Sequence, residues 1–223
     1  VTGVTTPGGQ NVAATGTASV LVKFKTKFFV VDDEDKQDNP VYQYDEEGNA
    51  GASVGLTSSK PRGVTSLPDG SLLLVVDEDT DGVYRYDAAG TADGYWTAGD
   101  LGKGRGIGTD GTTVWIVDKD NDVVLAYENW QTVTDGSTVN PTASLGFDLD
   151  NDNGDPSGLT TDGKTVWVVD EKDDAVYVYD IDSSNATPDG TLLATWIPTD
   201  LDEPKEITID PSGTSGTIWI VDK

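Results

Sequence analysis

The 223-residue chain contains no cysteine, histidine or methionine. With the thiol and the imidazole go disulfides, zinc or haem ligation by Cys or His, and every nucleophilic or proton-shuttle scheme built on those two groups. Positive charge is scarce too: 14 Lys and Arg stand against 40 Asp and Glu, a formal net charge of −26. Nucleic-acid phosphates and anionic membrane surfaces repel such a chain, so neither is expected as a partner. No apolar run approaches the roughly 18 residues of a membrane helix, so no membrane insertion is expected. Val1 is not an initiator Met and opens no charged-then-apolar leader, so the chain reads as soluble and as processed or excised.

Aspartate is what the chain has in excess, with 32 Asp against 8 Glu. Surface solubility could use either acid, whereas the shorter side chain caps turns and ligates calcium. Missing thiols fit an exported protein that needs no disulfide, and Asn185-Ala186-Thr187 is a glycosylation sequon. The expected location is extracellular or at the cell surface.

An internal repeat dominates the sequence. An apolar run closed by Asp occurs five times: FFVVD to Asp32, LLVVD to Asp77, VWIVD to Asp118, VWVVD to Asp170 and IWIVD to Asp222. The spacings of 45, 41, 52 and 52 residues match the blade length of a β-propeller. Upstream of four runs lies a second signature, at Pro61 to Thr65, Gly104 to Ile107, Pro156 to Thr160 and Pro204 to Thr208. This reads as strand A, followed by a tight turn at Asp69-Gly70, Asp110-Gly111 or Asp162-Gly163. The apolar run is strand B, buried on both faces, with Trp115, Trp167 and Trp219 as core. Strand C alternates with period two in VYQYD (Val41 to Asp45), VYRYD (Val83 to Asp87), VLAYE (Val124 to Glu128) and VYVYD (Val176 to Asp180). Its tyrosines pack between blades, with phenol tips reaching water or backbone. Tyr95-Trp96, Leu145 to Phe147 and Leu192 to Ile197 are candidates for strand D.

The order P-x-G-apolar-T, then D-G, then an apolar run ending in V-D, then an acidic turn and V-Y-x-Y resembles the NHL-repeat β-propeller pattern over about Val20 to Lys223. The resemblance implies an all-β propeller of four-stranded antiparallel blades, on a scaffold that serves binding proteins, sensors and enzymes alike. Five blades are expected, near 19–58, 61–100, 104–147, 156–198 and a partial 204–223. The first unit departs from the pattern, because Val20 to Phe24 lacks the P-x-G entry; the last stops after strand B, leaving an edge to be covered. Residues 1–18, with β-prone pieces at Val1 to Thr6 and Asn11 to Ala14, are expected to close the ring as a strand clasp. Completion by a neighbouring subunit would make the chain self-associating through its incomplete last blade.

Candidate sites follow from the shared face of the B–C and D–A loops. Arg62, Arg105 and Lys205 occupy one repeat position there. They are expected either to pair with Asp77, Asp118 and Asp222 as a belt between blades, or to bind a carboxylate or sulfate. Two acidic loops place oxygens on alternate residues, as calcium requires: Asp148, Asp150, Asp152 and Asp155 in one, Asp77, Asp79 and Asp81 in the other. Turn capping by the same carboxylates is the competing reading. The glycine run Gly102 to Gly108 lacks the strand-loop-helix setting of a phosphate loop and reads as a D–A connection. The function expected is a non-catalytic interaction or structural module with a protein or glycan ligand, calcium as its possible cofactor. The alternative is a propeller hydrolase or lyase with a carboxylate-held metal in the channel, although strand A offers mainly Thr65, Gly108, Thr160 and Thr208 inward.

Overall fold

From the second unit on, each begins with a Pro or Gly entry strand that leads to an Asp-terminated apolar run, and hairpin turns then fold the chain back and forth into a meander. The computed structural model describes residues 4–5, 11–12, 28–32, 39–45, 47–87, 89–209 and 217–223. Two short strands, β1 (Val4–Thr5) and β2 (Asn11–Val12), pair with each other. The first blade holds β3 (Phe28–Val31), β4 (Val41–Tyr44) and β5 (Ala50–Val54). The second holds β6 (Pro61–Ser66), β7 (Leu72–Asp77), β8 (Gly82–Asp87) and β9 (Ala92–Ala98). The third holds β10 (Gly104–Thr109), β11 (Val114–Asp118), β12 (Val123–Tyr127) and, after an excursion through β13 (Thr138–Val139), β14 (Phe147–Asp148). The fourth holds β15 (Pro156–Thr161), β16 (Thr165–Asp170), β17 (Ala175–Asp180) and β18 (Thr191–Trp196). A hairpin of β19 (Pro204–Ile209) and β20 (Ile218–Asp222) follows.

The chain is therefore an all-β propeller of four antiparallel blades, and the β19–β20 hairpin stands where a fifth would begin. Phe28 of the first blade meets Trp219 of this hairpin edge-on, with ring centroids 5.1 Å apart. The strand expected at Val20 to Phe24 and most of the N-terminal clasp lie outside the described residues, while β1 and β2 themselves form a ladder with one another.

Strands β6, β10, β15 and β19 pack side by side and are innermost. Strands β7 and β11 are buried almost throughout, as runs without polar alternation require. Between blades two and three, Leu74, Val76, Trp96, Ile116 and Trp130 form one core cluster; Val117, Leu159, Val168 and Tyr179 belong to the next. Trp115 is buried as expected, Trp167 only partly, and Trp219 lines the central cavity. The A–B turns use Gly70, Gly111 and Gly163 at φ of +70°, +95° and +85°.

Where strand A enters, its register with strand B slips by a residue: between Pro61 and Gly63, Gly104 and Ile107, Pro156 and Gly158, and Pro204 and Glu206. This bulge brings inner strands of successive blades into backbone contact. A Cβ on Gly106 would lie 2.0 Å from the Leu159 amide nitrogen and 2.4 Å from the Gly158 carbonyl carbon. Gly106→Ala is expected to lower stability by about 1–3 kcal/mol, because backbone atoms of the next blade must move. Gly154→Ala, with nothing within 4 Å, should change it by less than about 0.5 kcal/mol. Urea unfolding of both variants checks the contrast.

Candidate functional site

The aspartate that closes strand B is the organising residue of the face where B–C and D–A loops meet. Asp77, Asp118 and Asp170 are fully buried. Asp77 accepts from Ser58 Oγ (2.5 Å), Lys60 N (2.7 Å), Asp79 N (3.1 Å), Thr80 N (2.9 Å) and Thr80 Oγ1 (2.8 Å). Asp118 accepts from Gly102 N, Lys103 N, Asp120 N and Asn121 Nδ2. Asp170 accepts from Asp155 N, Lys172 N and Asp173 N. At exposed Asp222 the carboxylate takes Asp202 N. Each carboxylate thus ties the preceding D–A loop to its own strand B, and the three buried ones also close the B–C turn. Of the glycine run at 102–108, read as a D–A connection, only Gly102 and Lys103 belong to that connection, while Gly104 to Gly108 form part of β10; the anion that the first two amides cradle is the carboxylate of Asp118. Asp118→Asn, which swaps an acceptor oxygen for a donor facing these amides, is expected to cost about 1.5–3 kcal/mol, read by thermal unfolding.

Arg62 and Arg105 come together, but not on the strand-B aspartates. Their common partner is Glu78, the residue after Asp77: Arg62 Nε lies 2.5 Å and Arg105 Nη1 3.0 Å from Glu78 Oε2, with Lys60 Nζ 2.9 Å from Oε1. The expected pairing with Asp77, Asp118 and Asp222 is corrected: Arg62 and Arg105 both take Glu78, and Lys205 takes Glu171, while Asp77 and Asp118 are occupied by loop donors. Lys205 lies in a separate cluster, 2.5 Å from Glu171 and 3.5 Å from Glu203. Between blades three and four the link is reversed in sign, Lys119 pairing with Asp155. Burial works to raise the Glu78 carboxyl, but hydrogen bonds from Lys60 and Arg62 and the charge of Arg105 win and hold it at about 2.

The acidic loops do not gather their carboxylates. Among the described residues no three acids form a group that could hold a metal ion. Asp81 takes the left-handed conformation at φ +50°, as do Asp122 and Asp174 in the matching turns, a role short polar side chains tolerate. Burial, with the charges of Asp118 and Asp77, pushes its carboxyl up. Asp79 lies 3.8 Å from Lys60. In the loop 148–155, Asp148 and Asp152 are exposed, Asp150 accepts from Asp152 N, and Asp155 is held by Lys119. Tyr179 OH accepts from Asp150 N and Asn153 Nδ2, and Tyr177 OH donates to the Asp152 carbonyl. The strand-C phenols therefore tie loops together, as Tyr86 does by accepting from Thr57 N and Tyr127 by donating to the Gly99 carbonyl. In the sequon, Asn185 Nδ2 donates to Asp180.

A cavity of about 970 Å³ runs among the inner strands. Thr65, Thr160 and Thr208 line it as expected, with Phe28, Phe29, Ile107, Leu159 and Trp219 supplying apolar wall. Its acids are Asp69, Asp110 and Asp162 at the A–B turns and Glu206 on β19, and its described lining includes no Lys or Arg. Glu206 occupies the seam position held by Gly63, Gly106 and Gly158 in earlier units, and the absence of glycine there was the only signal for it. Its Oε1 accepts from Leu159 N and Ile207 N, while Oε2 is enclosed without a partner. Burial outweighs the two amides and pushes its carboxyl up to about 8. A second feature without a motif is the outer edge of blade four, where Leu193 and Trp196 of β18 and Ile197 just after it are 54, 37 and 70% exposed.

No family model and no curated protein matches the chain. Solved structures do. A streptogramin B lyase superposes with a TM-score of 0.51 at 15% identity, over 82% of this chain and 55% of that one. A virginiamycin B lyase from Staphylococcus aureus gives 0.52 at 14% identity, over 97% and 69%. A nidogen/laminin complex gives 0.53 at 16% identity, over 86% and 63%. These likenesses are of fold, and the chain spans just over half the length of the first. No described helix is long and apolar enough to cross a membrane.

Glu78→Gln should destabilise the protein by about 1–3 kcal/mol, less than a fully buried pair because its cations stay part-exposed. The folded-state carboxyl titrates below its ordinary value of 4.5. The wild type therefore keeps this stabilisation above about 4.5 and loses it as pH falls through about 2. Acid unfolding of the variant should lack that part of the transition.

Proposed function

We propose that the chain is a secreted or cell-surface β-propeller acting as a non-catalytic interaction module, its ligand carried on the outer face of blade four. The observation that supports this most directly is the set of exposed apolar side chains at the outer edge of blade four, Leu193 and Trp196 on β18 and Ile197 just after it, in a protein with a net charge of −26. The repeat's recurring polar groups are meanwhile used on the scaffold: strand-B aspartates on loop amides, Arg62 and Arg105 on Glu78. A protein-binding role agrees with the nidogen/laminin likeness. Calcium belongs to the reading as a ligand that must draw Asp148, Asp150 and Asp152 together. Self-association belongs to it through the β19–β20 hairpin.

The second reading is a lyase or hydrolase with a metal in the channel, favoured by Glu206 as a carboxyl on an inner strand and by the two lyases of like fold. A catalytically inactive form of the virginiamycin lyase is one whose histidine is replaced by alanine, and these 223 residues contain no histidine. Calorimetric titration of calcium and magnesium into chelator-stripped protein separates the readings. The interaction module expects any metal heat to survive in Glu206→Gln and to weaken in Asp150→Asn. Heat abolished by Glu206→Gln puts the metal in the channel and reverses the order. Light scattering beside the titration should give a particle of 23.5 kDa unless the last hairpin pairs with a neighbour.

A further inference from the structure

The outer edges of the blades are finished in different ways. Strand β9 of blade two is covered by the chain itself: β13 runs parallel beside it, Thr138 opposite Thr97 and Val139 opposite Ala98. Asp135 also accepts from Tyr95 N, and Gly136 N donates to the Tyr95 carbonyl. Strand β14 of blade three is only two residues long. Strand β18 has six residues, and among the described residues nothing pairs with its outer side. The stretch Thr191 to Ile197 carries no charge and no proline. Lysine, proline, shortness or a bulge normally blunts such an edge; of these β18 carries only a bulge, at Leu193 between its pairs with Val178 and Tyr179.

Acids outnumber cations around this edge. No Lys or Arg occurs between Lys172 and Lys205. Asp180, Asp182 and Asp189 flank the strand at its start, and Asp200, Asp202 and Glu203 follow its end. Lys164 answers Asp182, and Lys205 and Lys223 answer Glu203. A second copy of this chain would bring the same acids against them, so an incoming strand is favoured when it carries cations.

We propose that β18 is the docking edge for an extended, basic segment of a partner protein. The segment adds as a fifth strand to blade four, as β13 does to blade two. Backbone hydrogen bonds hold it, apolar side chains cover Leu193, Trp196 and Ile197, and Lys or Arg side chains meet the flanking acids. The proposal rests on the interaction-module reading and names the partner of that surface.

The test uses a fluorescently labelled, end-capped decapeptide of alternating Lys and Val, its Glu-Val counterpart, and a Lys-Val peptide N-methylated at alternate residues. Anisotropy is read at about 50 and about 300 mM sodium chloride. The Lys-Val peptide should bind the wild type, with affinity falling at least about tenfold in the double variant Leu193→Lys, Ile197→Lys and weakening with salt. The Glu-Val and N-methylated peptides should fail. Equal binding of the N-methylated peptide, or equal affinity for the double variant, means diffuse attraction to an acidic protein and overturns the proposal. So does a wild-type dimer by light scattering that the double variant loses, since the occupant is then a second copy. No peptide binding, with channel metal heat absent, removes the basic strand alone. No peptide binding beside heat that Glu206→Gln abolishes removes the interaction-module reading as well.

Discussion

A buried carboxylate at the end of the second strand in blades two, three and four sets the frame for the rest of the molecule. Burying an ionised Asp is unfavourable unless its oxygens are fully answered. Asp77 and Asp118 are answered by amides and side chains from two loops at once. The consequence is geometric: the preceding D–A loop is fixed against strand B, so strand A must begin beside it. The backbone bonds from Glu78 N to the Lys60 carbonyl, Lys119 N to Lys103 and Glu171 N to Asp155 repeat that constraint. From this anchor follow the bulge, the approach of Gly106 to Leu159, and a channel walled by inner strands.

The surface chemistry is distributed by the same logic. The strand-B aspartates of blades two to four are taken up by loop amides, and Arg62 and Arg105 by Glu78. Glu206 stands where Gly63, Gly106 and Gly158 stand in their units, and brings an enclosed carboxyl to the channel wall. Strand β18 is longer and more apolar than β5 or β14, and lies open where β9 is covered.

Strands were legible because their signals are local and repeated: V-V-D gave the buried second strand, V-Y-x-Y the third, and D-G the turn between the first two. Pairing across blades was less legible. Arg62 and Arg105 lie on the expected face, yet a choice between Asp77 and Glu78 depends on how many loop amides Asp77 already holds, which spacing does not reveal. The acidic loops show the same ambiguity, because Asp caps turns, tolerates left-handed backbone at Asp81 and ligates cations with one side chain. Exposure of Leu193 and Ile197 could not be read at all, since an apolar run in an outer strand has the same letters whether covered or open.

The ionic links between neighbours also write a serial order into the ring. Glu78 of blade two requires cations on the blade that follows, Lys119 of blade three requires an acid, and Glu171 of blade four again requires a cation. A tandem copy of blade three inserted beside itself would set Lys119 against Lys103 and Arg105, like against like. The units share one shape without being interchangeable, so lengthening this propeller by duplicating blade three would demand a compensating change of sign at the new junction.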